Sequence, residues 1–66
     1  MSLKWERNAS TGNSIARTSP NVRVIRMEWD GSYVYVAENW GDYGPSFPVR
    51  SRPKATVSAA LKEASA

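Results

Sequence analysis

From Val22 to Trp40 the chain alternates apolar and polar positions on both sides of the dipeptide Asp30-Gly31. Runs rich in Val, Ile, Tyr and Trp joined by Asp-Gly are the sequence form of a two-residue β-hairpin. Such a turn also sets the register. It pairs Trp29 with Ser32, Met27 with Val34, Ile25 with Val36 and Arg23 with Glu38 on one face. Glu28 with Tyr33, Arg26 with Tyr35 and Val24 with Ala37 share the other. The first face is apolar except at its open end, so it is expected to meet the core. The second is expected to meet water or a partner.

The flanking segments are shorter. Leu3 to Asn8 alternates, with Leu3 and Trp5 pointing one way and Lys4 and Glu6 the other, which predicts a strand near 3–8. Ala9 to Asn13 is small and polar, and Gly12 can take the positive φ of a turn. Residues 14–18 return as a strand with Ile15 inward, and Pro20 breaks the chain before the hairpin. The hairpin strands fall near 22–29 and 32–40. A last strand near 47–51 turns Phe47 and Val49 inward and Arg50 and Arg52 outward; Pro48 confines it to a sheet edge. Beyond Pro53 the period changes. Val57, Ala60, Leu61 and Ala64 fall at helical spacing and predict a helix near 53–64, capped by Ser51 or Thr56. The expected fold is α+β: a three- to five-stranded antiparallel meander with one C-terminal helix packed on its apolar face, in a single domain spanning 1–66. The expected core is Trp5, Ile15, Ile25, Met27, Trp29, Val34, Val36, Phe47, Val57, Ala60 and Leu61.

Size narrows the options. A 66-residue chain buries only about 60% of its extended surface, which leaves a thin stability margin. Without cysteine or histidine it has no disulfide staple and lacks the common zinc ligand sets. No metal site and no cofactor are expected. The core must come from apolar side chains alone or be shared with a second copy, so a homodimer is one expected state. No apolar run is long enough to cross a bilayer, and the first residues lack the apolar stretch of a secretion signal. A cytoplasmic protein without membrane contact is expected.

The residues offer little for catalysis. Nucleophilic mechanisms need Ser, Cys or Lys beside a base, and there is neither histidine nor a GxSxG elbow. Glu28 and Asp30 flank an exposed turn, and Glu38 has Arg23 as its cross-strand partner, so these carboxylates read as surface charge. Gly41-Asp42-Tyr43-Gly44 lacks the Gly-Lys-Ser/Thr ending of a phosphate loop. No catalytic residue is assigned, and an enzyme is not expected.

Binding is better supported. Nine Lys and Arg stand against six Asp and Glu, for a net charge of +3, and seven residues are aromatic. Arg26, Tyr33 and Tyr35 lie on the outer face of the hairpin, and Arg50, Arg52 and Lys54 cluster in Arg-Ser-Arg-Pro-Lys. Basic side chains neutralise phosphates, and rings on a sheet stack bases. The same residues also have a structural reading, because Arg26 opposite Tyr35 is a cation–π pair that stabilises a hairpin by itself. Trp40, Tyr43 and Phe47, in a Gly/Pro-rich loop, are candidate anchors for a protein interface or plugs for the end of the core. The partner is therefore nucleic acid or a protein.

Strands, a Phe-bearing edge and the short Ala-rich helix VSAALKEA together make the chain resemble the AP2-like arm-type DNA-binding domains of phage integrases. The residues behind the likeness are 22–40, Phe47 and the helix, about two-thirds of the chain. The resemblance implies DNA contact through the sheet and points to Arg23, Arg26, Tyr33 and Tyr35. The chain departs from that pattern at the start of the helix, where it has Pro-Lys-Ala-Thr, and in placing Glu28 and Glu38 on the hairpin. The layout is equally similar to that of small phage and bacterial proteins that bind host protein complexes.

Overall fold

A computed structural model describes residues 3–41 and 48–65 of the chain. Five antiparallel strands form one open sheet in chain order, β1 (Glu6–Arg7), β2 (Ser14–Ser19), β3 (Val22–Trp29), β4 (Ser32–Asn39) and β5 (Val49–Arg50), followed by α1 (Val57–Ala64). The fold is the expected α+β meander with a C-terminal helix. Among the described residues no helix is long and apolar enough to cross a membrane.

The central hairpin follows from its turn. Asp30 and Gly31 both take positive φ, at 53° and 81°, the twisted turn that suits right-handed strands. The register runs from Trp29↔Ser32 through Met27↔Val34 and Ile25↔Val36 to Arg23↔Glu38 and Val22↔Asn39. The β1–β2 turn is held by its own polar groups. Asn8 N–H donates to the Asn13 carbonyl at 2.7 Å, Gly12 N–H donates to the Asn8 carbonyl at 2.8 Å, and Gly12 sits at φ 77°. Near Pro20, a register irregularity falls between Arg17 and Ser19 of β2.

The helix starts later than its sequence pattern predicts. Pro53 and Lys54 are not helical; Lys54 exchanges two backbone hydrogen bonds with Tyr35, at 2.8 and 2.9 Å, and so extends the sheet edge beside β4. Ser51 anchors the same segment. Its N–H donates to the Ala37 carbonyl, and its buried Oγ accepts the Ala37 N–H, both at 2.8 Å. Pairing with β4 through Ser51 and Lys54 keeps this segment out of the helix. The helix then begins after Thr56, whose Oγ1 accepts the Ala59 N–H at 3.1 Å as an N-cap. At the other end Asn39 donates its side-chain amide to the Ala64 carbonyl at 3.4 Å.

The register is as expected, but the helix lies on the opposite face of the sheet from the one expected. Val24, Ala37, Ala60 and Ala64 form the buried core, with Trp5, Tyr35, Val57 and Leu61 packed against it. Ala16, paired with Val24, is buried beside them. The helix does cover an apolar strip, one made of small residues. Its own inner stripe explains the choice. Ala60 and Ala64 present almost no side chain, so the helix must approach closely, and Val24 and Ala37 leave room where the longer Ile25 and Met27 would not. Trp29 is consequently 72% exposed rather than buried. Ile15, Ile25, Met27 and Val34 are half-buried, and of the described apolar residues expected in the core on that face Val36 is the one that is buried. Phe47, also expected in the core, lies outside the described residues.

Candidate nucleic-acid interface

Strand pairing turns scattered basic residues into two cross-sheet rows, one on each face. On the helix-bearing face the pairings Arg7↔Ser14, Ser14↔Arg26, Arg26↔Tyr35 and Tyr35↔Lys54 chain into one row. It lies one register step beyond the helix-covered pair Val24↔Ala37, with Glu28↔Tyr33 one step further out. On the open face Arg17↔Arg23, Arg23↔Glu38 and Glu38↔Arg50 make the second row.

Arg26 is the centre of the first row. Its guanidinium carbon lies 4.8 Å from the Trp5 ring centroid and 4.7 Å from that of Tyr33. Nη2 also reaches the Ser14 hydroxyl at 3.5 Å. Trp5 in turn meets Tyr35, with centroids 6.0 Å apart and a 46° tilt. Two rings therefore hold a cation in place without a carboxylate, an attraction of about 0.5–2 kcal/mol per ring depending on exposure. Beside it, Arg7, Gly12, Ser14, Arg26, Glu28 and Tyr33 line a cavity of about 300 Å³. Tyr33 is 53% exposed, so its ring is available to a ligand. The site offers guanidinium donors, a hydroxyl and an open aromatic edge; among the described residues Glu28 is the one carboxylate in its lining.

At the end of the row beyond β4, Lys54 Nζ lies 2.6 Å from Glu63 Oε2, and Arg52 Nε lies 2.9 Å from Oε1. Hydrogen bonds from Lys54, then from Arg52, hold the Glu63 carboxyl down at about 2. Arg52 is mostly exposed, whereas Lys54 is shielded by the helix. These two cations are partly neutralised before any ligand arrives.

The open-face row is tied more tightly. Glu38 is buried, with Oε1 2.6 Å from Arg23 Nε and Oε2 2.7 Å from Arg50 Nη2. Arg23 also lies over the Trp40 ring, 5.0 Å from its centroid. The Trp40 backbone N–H donates to the Asn21 carbonyl at 2.8 Å, and the residue is half-buried.

The residues singled out in the sequence therefore do not form one surface. Arg26, Tyr33, Tyr35 and Lys54 come together on the helix-bearing face. Arg23 and Arg50 lie on the other, and Arg52 stands with Glu63. Tyr43 and Phe47 are outside the described residues. Sequence reading missed Trp5, Arg7 and Ser14 as companions of Arg26, and Arg17 as a companion of Arg23. Alternation along β1 was the available signal, because Arg7 shares the face of Trp5. Among the described residues no cluster of three or more acidic, His or Cys side chains could hold a metal ion.

Compared with known proteins, the chain matches no family model, no curated protein and no solved structure.

Proposed function

We propose that the protein is a nucleic-acid-binding module that meets its ligand through the basic, tyrosine-bearing row on the helix-bearing face. The observation that carries this reading is Arg26, held between Trp5 and Tyr33 beside Arg7 and Ser14. A guanidinium fixed by rings is pre-organised for a phosphate, which lowers the ordering cost of binding. The exposed Tyr33 ring supplies a surface on which a base can stack, a contact worth about 1–3 kcal/mol in single-stranded complexes. From Arg7 to Lys54 the row crosses four strand spacings, roughly 19 Å, long enough to follow several phosphates of one strand. A non-enzymatic role fits the same residues, which supply donors and rings.

Titration of labelled single-stranded DNA, duplex DNA and RNA at about 50 and about 200 mM salt tests the proposal. Binding should weaken as salt rises, and Arg26→Ala should lower affinity at least about tenfold while the circular dichroism spectrum is retained. Binding that is undetectable, indifferent to salt, or unchanged in Arg26→Ala would overturn it.

A further inference from the structure

The open face of the sheet carries most of the larger apolar side chains of the strands, and no described element covers it. Ile15, Ile25, Met27, Val34 and Val36 form a continuous patch across β2, β3 and β4. The helix-covered core is built from smaller groups, and Val24 is the largest fully buried side chain on that side. Among the described residues Ile15, Ile25, Met27 and Val34 are left half-buried, and a second subunit would complete their burial.

The charge on this face points to which subunit. One end carries the row of Arg17, Arg23 and Arg50 with only Glu38 among them. The other end, about 20 Å away along β3, carries exposed Trp29 and the exposed carboxylate of Asp30 at the turn. Laid on a copy of itself with strands parallel, the face would set arginines against arginines. With strands antiparallel, each arginine end meets a tryptophan and a carboxylate, and the aliphatic patches meet at the middle. This is the self-complementarity of a two-fold interface.

We propose that the open face is an interface between two copies of this chain, packed sheet on sheet with strands antiparallel, so that Arg23 of each protomer meets Trp29 and Asp30 of the partner subunit. The patch is small, at the low end of specific interfaces, so the dimer should be weak and concentration-dependent. The inference is independent of nucleic-acid binding, since it uses the opposite face.

Sedimentation velocity of the full chain from about 5 to about 500 µM tests it. The wild type should shift toward dimer across that range, and Met27→Glu should stay monomeric with an unchanged circular dichroism spectrum. Trp29, exposed in the monomer, gives a variant that leaves the fold alone. Trp29→Lys, set against Arg23 of the partner subunit, should weaken the dimer at least about tenfold more than Trp29→Glu. Tyr33→Ala, on the other face, should dimerise like the wild type. A wild type that remains monomeric throughout, or a Met27→Glu protein that dimerises equally well, overturns the interface. Equal effects of Lys and Glu at position 29 overturn the antiparallel arrangement.

Discussion

Arg23 and Glu38 are direct cross-strand partners, and Arg23 Nε donates to Glu38 Oε1 at 2.6 Å. Glu38 is almost wholly buried, whereas the Arg23 side chain keeps about a third of its surface in water, 36%. The carboxylate therefore bears the desolvation, and the second arginine, Arg50 at 2.7 Å, offsets it. Neutralising Glu38 leaves two cations facing each other without the charge that joins them. Glu38→Gln should cost about 2 kcal/mol of stability, read as a lower urea midpoint with an unchanged slope. An unchanged midpoint would mean that the ion triad contributes nothing net.

Ser51 gives a second stability prediction. Its buried hydroxyl accepts the Ala37 N–H at 2.8 Å, where the regular ladder beyond β5 has ended. Ser51→Ala leaves that N–H without an acceptor in a buried site, at a cost of about 1–3 kcal/mol. Ser51→Thr keeps the acceptor and should recover most of the loss. Amide exchange at Ala37 should accelerate in the alanine variant and not in the threonine variant.

Glu63 makes stability depend on pH. Its carboxyl falls from an ordinary 4.5 to about 2 because Lys54 and Arg52 donate to it. A group whose pKa drops on folding stabilises the fold above its unfolded value. That contribution is full above about 4.5 and disappears as the pH falls toward 2. The urea midpoint should decline over this window. Glu63→Gln, which carries no titrating group there, should show a shallower decline. Identical pH profiles for the two proteins would show that the Lys54–Glu63–Arg52 cluster does not contribute to folding.

The hairpin and its register were legible because Asp30-Gly31 sets them locally, through positive φ at two adjacent residues. The side on which the helix sits was not, because alternation tells which residues share a face but not which face is covered. The larger apolar set, Ile25, Met27, Val34 and Val36, drew the expectation to the wrong side. The missing information lay in the helix, whose inward alanines Ala60 and Ala64 pack on the small pair Val24 and Ala37. The late start of the helix had the same kind of cause. Pro53 is tolerated in a first helical turn, so propensity allowed a start near 53, but the backbone pairing of Lys54 with Tyr35 decided otherwise. For the candidate site, Arg26, Tyr33 and Tyr35 could be grouped from the hairpin alone. Their joining to Trp5 and Arg7 depended on the pairing of β1, a strand of only two residues.

The two faces of β3 should respond in opposite ways to truncation. Val24 is fully buried beneath the helix, and Met27 is half-buried on the open face. By side-chain volume alone, Met27→Ala should be the worse change. By position, Val24→Ala opens a cavity between the sheet and α1 and should cost about 2 kcal/mol. Met27→Ala in the dilute monomer removes contacts already shared with water and should cost less than about 1 kcal/mol. If a second copy covers the open face, the cost of Met27→Ala grows with protein concentration while that of Val24→Ala does not. Association stabilises the whole folded protomer, but only a variant that weakens the association loses part of that gain. Thermal unfolding of both variants at dilute and high concentration separates the two effects. A Met27→Ala penalty larger than that of Val24→Ala in dilute solution would place the core on the other side of the sheet.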